Sequence, residues 1–91
     1  MAQKLDSHHR HTATQIFGHP IGRNIKWHDV VSLLERFGDV FETHRGTWAC
    51  TIAARTYSLG RMRGSDLSVD QVVKVRHILV ALGITADTVA A

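Results

Sequence analysis

His44, Arg45 and Thr47 stand around a single glycine, Gly46, in the stretch THRGTWACTIA. An imidazole titrates near neutral pH, a guanidinium forks onto a phosphate, and a hydroxyl can donate to one. Cleaving RNA through its 2′-hydroxyl needs a general base near that oxygen and an acid or cation near the leaving oxygen. Of the histidines on expected ordered elements, His28, His44 and His77, only His44 has such neighbours, which makes it the candidate catalytic residue. A binding role draws on more of the chain. Between Thr43 and Ser65 the sequence carries Arg45, Arg55, Arg61 and Arg63 and no Asp or Glu. Arginines at hairpin ends and in loops reach phosphates, and duplex RNA is read mainly by shape, phosphate and 2′-hydroxyl contacts. Arg45, Thr47, Arg55, Arg61 and Arg63 are the candidate RNA-binding residues.

Other chemistry is poorly supplied. His8, His9 and His11, with His19 and His28, lack cysteine support and a framework that would hold three or four ligands tetrahedrally, so no metal is expected. No cofactor is expected either. Cys50 is the only cysteine, which excludes an internal disulfide and suits a reducing cytoplasm; its place in an apolar alternation marks it as a small core residue. Trp27 and Trp48 share phase with aliphatic residues and read as core rather than as stacking platforms for bases.

The elements that must position these groups follow from periodicity. With 91 residues the chain has room for one domain, 44% hydrophobic and 21% charged, with a formal net charge of +3. No apolar run approaches the roughly 18 residues of a membrane span, and the N-terminal stretch is polar, without a signal-peptide core, so a soluble cytoplasmic protein without membrane contact is expected. Residues 1–11 read as a flexible, histidine-rich tail, followed by a short helical turn at 12–17 that Gly18 and Pro20 end. Trp27, Val30, Val31, Leu34 and Phe37 form one helical stripe, with Gly38 as a left-handed terminator. Strands are expected at 39–45, 47–52 and 55–59, with Trp48, Cys50 and Ile52 on the buried face. GRMRG, residues 60–64, reads as a loop. Ser68 to Gln71 has the form of a capping box, and Leu67 with Val72 stands at the spacing of a hydrophobic staple. Val72, Val75, Ile78, Leu79 and Leu82 give that helix its buried face before Gly83 ends it. Residues 85–91 read as a second tail. The order predicts an α+β fold over residues 12–84, a two-layer α-β-β-β-α sandwich with a three-stranded antiparallel sheet and both helices on one face.

DVVSLLERFGDVFETHRGTW resembles the N-terminal half of the HicA-type toxins, in which a helix with Leu-Leu and a closing Gly leads into a strand and a Gly-Ser-His turn. SVDQVVKVRHILVALGI is similar to the closing helix of that family, and HPIGRNIKWHDVVSLL resembles the opening of a divergent branch of small bacterial HicA-like proteins. The likeness covers residues 26–84. It implies a fold like the double-stranded-RNA-binding domain, ribonuclease action on messenger RNA, and a toxin-antitoxin pair in which a protein antitoxin neutralises the toxin. In place of Gly-Ser-His this chain has Gly46-Thr47-Trp48, and the family's basic segment before the last helix survives as GRMRG without its His and Pro. The family's catalytic histidine is therefore not matched, and His44 is the nearest imidazole.

Together these readings predict a small HicA-like RNA-binding domain without efficient ribonuclease activity. Two alternatives stand beside it. One is an active mRNA-cleaving toxin using His44 and restrained by an antitoxin; the other is a protein-interaction domain acting through an exposed sheet edge or face.

Overall fold

A computed structural model describes residues 6–22, 24–62 and 64–90. The elements run α1 (Ser7–Ile16), α2 (Trp27–Glu35), β1 (Asp39–Glu42), β2 (Trp48–Ile52), β3 (Arg55–Gly60), α3 (Val69–Ala81) and α4 (Ala86–Ala90). The strands form one antiparallel sheet in the order β1-β2-β3. The fold is α+β, as the alternation of periods predicts.

Strand phase decides which sheet face is covered. Val40 pairs with Cys50 and Cys50 with Tyr57, so these side chains share a face with Trp48, Ile52 and Leu59. Cys50, Ile52 and Leu59 are buried in one core with Val30, Leu33 and Leu34 of α2 and Val72, Val75, Ile78 and Leu79 of α3. Both helices thus cover the same face. The opposite face carries Asp39, Phe41, Ala49, Thr51, Thr56 and Ser58, and Phe41 is 40% exposed there.

α3 is built as its sequence predicts. The Ser68 hydroxyl accepts from the Gln71 N–H at 3.3 Å, and the Gln71 side-chain oxygen accepts from the Ser68 N–H at 2.9 Å. Leu67 and Val72, the staple pair, are both in the core. At the other end Ile84 N–H bonds the Leu79 carbonyl and Gly83 N–H bonds the Val80 carbonyl, with Gly83 at φ +83°. That is a Schellman closure, and buried Ile84 supplies its hydrophobic contact.

Several local expectations are corrected. Residues 7–11, assigned to the flexible tail, are the first turns of α1. Asp6 caps this helix by accepting from His9 N–H at 2.8 Å, and Thr12, Ala13 and Ile16 bury one side of it against α2 and α3. Residues 1–5 of that tail lie outside the described residues. In the C-terminal tail, 86–90 form α4 against α1, while residue 91 is not described. Along α2 and just past its end the core residues are Trp27, Val30, Leu33, Leu34 and Phe37; Leu33 is buried and Val31 only partly so, which rotates the expected stripe. Gly38 is not left-handed. A Cβ there would meet the Thr51 carbonyl oxygen at 2.1 Å, so the glycine is required by a close backbone approach rather than by a helix stop.

The hairpins frame the sheet. β1 ends at Glu42, three residues short of the expected strand, because Thr43 to Gly46 turn: Gly46 N–H bonds the Thr43 carbonyl at 2.9 Å with Gly46 at φ +80°. A second sharp turn lies between β2 and β3. Ala53 and Ala54 both have positive φ, 52° and 66°, which is the backbone of a two-residue hairpin turn. At the base of the helical layer Lys26 and Asp66 form an isolated antiparallel bridge, closed by Trp27 N–H to Ser65 carbonyl and Leu67 N–H to Ile25 carbonyl. The Lys26 ammonium and the Asp66 carboxylate are 2.8 Å apart.

Candidate nucleic-acid interface

Two glycines carry the site. Gly46 ends the β1–β2 turn and Gly60 ends β3, and the register sets Gly60 opposite Trp48, so the turn and the exit of β3 are neighbours. Arg61 follows Gly60 and folds back over the turn. Its Nη2 donates to the Arg45 carbonyl at 3.1 Å, and its Nη1 lies 3.8 Å from where a Cβ on Gly46 would stand. Neither glycine bears a side chain that would push these groups apart. From α3, the Lys74 ammonium comes within 3.7 Å of the Cβ position at Gly60. Arg45, Arg61 and Lys74 are all exposed, so three basic residues belong to one end of the sheet.

Gln71 holds that end in place. Its side-chain nitrogen donates to the Leu59 carbonyl at 3.2 Å and the Arg61 carbonyl at 2.9 Å, while its oxygen closes the capping box. One buried amide therefore ties the start of α3 to the exit of β3. Beside it a cleft of about 370 Å³ is lined by Arg61, Asp66, Leu67, Ser68 and Gln71. Asp66 is held below the usual carboxylate range mainly by its hydrogen bond from Lys26, so its charge is already engaged.

The candidate residues divide between the two ends of the sheet. His44 and Arg45 are exposed in the turn, as expected. Thr47 is half-buried, and its hydroxyl is 2.7 Å from that of Thr43, which commits it to the turn. Arg55 sits at the other hairpin, opposite Ile52. Six residues of extended chain put it about 20 Å from Arg61. Arg63 lies outside the described residues. The stretch without acids in sequence does not stay so in space, because Glu42 is opposite Trp48 in the register and exposed next to the turn.

Lys74 and Gln71 were missed as parts of the site. Their spacing of three residues on α3 puts them on adjacent turns of one helix face, and that was the available signal. The remaining link, that this face meets Gly60, depends on tertiary packing.

A second polar cluster joins α1 to α2. The His8 and His28 Nε2 atoms each lie 3.2 Å from Asp29 Oδ1, and His9 Nε2 is 2.9 Å from the Ser32 hydroxyl. The histidine-rich stretch thus has a packing role. Among the described residues no group of three or more His, Cys, Asp or Glu is arranged to hold a metal ion, and no helix is long and apolar enough to cross a membrane.

Trp48 follows Thr47 at the start of β2. It is half-buried and packs edge-on against Trp27, ring centroids 5.5 Å apart. Cys50 is fully buried, and burial pushes its thiol up from the usual value. No protein family, curated protein or solved structure matches this chain.

Proposed function

We propose that this chain is a small RNA-binding domain that engages the phosphate backbone through Arg45, Arg61 and Lys74, and that it binds without efficient cleavage. The observation that carries the reading is the placement of these three exposed basic residues around the Gly46–Gly60 end of the sheet, with the Arg61 guanidinium on the Arg45 carbonyl and the Lys74 ammonium beside Gly60. A cluster of mobile cations gives sequence-independent, salt-sensitive affinity for a polyanion. Mounted on a rigid sheet end, it follows the spacing of phosphates rather than the edges of bases, which suits RNA recognised by shape. The likeness of residues 26–84 to the HicA-type toxins supports the same ligand class and implies a protein antitoxin as partner. A reducing cytoplasm suits the single buried thiol.

Trp48 supports binding over cleavage, since the place of the family's histidine is taken by a side chain engaged in packing. His44 is exposed in the turn, where solvent competes for any proton it would move. Titrating the protein with a short RNA duplex and following backbone amide shifts tests both halves. The expected result is perturbation at residues 44–47, 60–62 and 74, with no multiple-turnover hydrolysis. Perturbation confined to the α1–α2 side would refute the site. Turnover abolished by His44→Ala would replace this reading with that of an active ribonuclease.

A further inference from the structure

The two edges of the sheet are protected differently. β1, Asp39–Glu42, has an acid at each end of four residues, so two copies paired antiparallel along it would oppose Asp39 to Glu42. That edge repels its own kind. β3 is the longest strand, and from Thr56 to Gly60 it carries no charge and no proline. Its irregularity lies at the far end, where the register with β2 shifts between Trp48 and Ala49 and leaves Leu59 as an extra residue on β3; from Thr56 to Ser58 the strand has no charge, proline or bulge to blunt the edge.

The β2–β3 register shows which backbone groups face outward. In a two-residue hairpin closed by Ile52 and Arg55, the hydrogen-bonded pairs toward β2 are Ile52–Arg55 and Cys50–Tyr57. Thr56 and Ser58 therefore direct their N–H and C=O groups to the open edge, and both residues are exposed. Just beyond them the Leu59 carbonyl is taken by Gln71, which sets the limit of the open stretch.

We propose that β3 pairs with β3 of a second copy, antiparallel about Tyr57, and that this pairing brings Arg55 of one copy to the Arg45–Arg61 end of the other. About Tyr57 the outward-facing residues meet as Thr56–Ser58 and Ser58–Thr56, forming two hydrogen-bonded pairs of small hydroxyl residues. Tyr57 meets its own equivalent on the helix-covered face, and Arg55 stands opposite Leu59. The neighbouring register about Ser58 sets Arg55 opposite Arg61, like against like, and is disfavoured for that reason. In the Tyr57 register Arg55 of one copy stands opposite Leu59 of the other, two residues before Arg61, whereas within a single chain the length of β3 separates Arg55 from Arg61. An anion between them relieves the remaining repulsion, so polyanion binding and pairing strengthen one another. The self-pairing rests on β3 alone; its consequence for Arg55 rests on the RNA-binding reading.

Sedimentation equilibrium of the full chain across a wide dilution series, with disulfide trapping, tests the pairing. Thr56→Cys mixed with Ser58→Cys is expected to cross-link on oxidation, because that pair stands about 5.5 Å apart between Cα atoms. Thr56→Cys alone is not, since its equivalents are about 8 Å apart. Ser58→Lys or Thr56→Lys, each with an unchanged far-ultraviolet spectrum, is expected to shift the wild-type dimer to monomer. A wild type that stays monomeric at every concentration overturns the proposal, as does Thr56→Cys cross-linking to itself as readily as to Ser58→Cys. In RNA titrations Arg55→Ala is expected to reduce the salt slope by about one per chain in the dimer and to leave it unchanged in the Ser58→Lys monomer. An equal loss in both overturns the shared site. A dimer that binds no RNA leaves the pairing standing and refutes the nucleic-acid reading instead.

Discussion

Replacing Ala53-Ala54 by Asn-Gly is expected to stabilise the fold, and the magnitude follows from two dihedral angles. Both alanines sit in the left-handed region, at φ 52° and 66°, where a Cβ crowds the following carbonyl at a cost of about 1–2 kcal/mol per residue. Glycine at 54 removes that strain but adds about 0.5–1 kcal/mol of unfolded-chain entropy to be lost on folding. Asparagine at 53 tolerates the same region at smaller entropic cost. The net expectation is a gain of about 1 kcal/mol, equivalent to a rise of about 4–8 °C in Tm for a domain of this size. Urea denaturation should show a higher midpoint with an unchanged slope, because the exposed surface is the same in both proteins. Ala54→Val, a β-branched residue at positive φ, should move stability the other way. A double variant no more stable than wild type, or a valine variant that is unaffected, would refute the two-residue turn and with it the register that directs Thr56 and Ser58 outward.

Three further outcomes can be checked in the same way. Gly38→Ala places a Cβ 2.1 Å from the Thr51 carbonyl oxygen and 2.7 Å from Ile52 Cγ1; since the nearest atom is backbone, a loss of about 3 kcal/mol is expected in urea denaturation. Arg76 on α3 donates to the Ile16 carbonyl from Nε at 3.2 Å and from Nη2 at 2.9 Å. Arg76→Ala should therefore lose about 1.5–3 kcal/mol and speed amide exchange in α1 more than in α3. Asp66 has a folded-state pKa below its ordinary value of 3.8. Its contribution is complete above that value and lost as pH falls through the lower folded one. Acid unfolding of Asp66→Asn, followed by tryptophan fluorescence, should thus be less steep than that of wild type below about pH 4.

Local signals predicted the two ends of α3 most closely. Ser68, Gln71 and Gly83 act within a few residues of themselves, so spacing alone reveals the capping box and the Schellman closure. The sheet was legible for a related reason, since Trp48, Cys50 and Ile52 alternate cleanly against the core. Gly38 was misread because a helix-ending glycine and a glycine beneath a neighbouring strand look the same in one dimension; only the Thr51 carbonyl distinguishes them. α1 was missed from Ser7 to His11 because its exposed residues are polar. Its docking uses Thr12, Ala13, Ile16 and a histidine–aspartate contact to α2, a pattern without strong apolar periodicity.

The candidate site was half legible. Arg45 and Arg61 could be named as cations in turns, and the Arg61 guanidinium does reach the Arg45 backbone carbonyl. Arg55 could not be separated from them without the register, which shows that consecutive hairpins point to opposite ends of the sheet. Lys74 enters through the packing of α3 on β3, a contact fixed by Gln71 and by the absence of a side chain on Gly60.

RNA affinity measured against salt, for wild type and for the Arg45→Ala/Arg61→Ala/Lys74→Ala variant, tests the central claim most directly. If these three side chains contact phosphates, the slope of log K against log salt should be shallower in the variant by about two to three per chain, with binding weakened on every RNA sequence tried. Equal slopes and affinities in the two proteins, or no wild-type binding at low salt, would contradict the assignment and leave the three cations as an ordinary solvated rim.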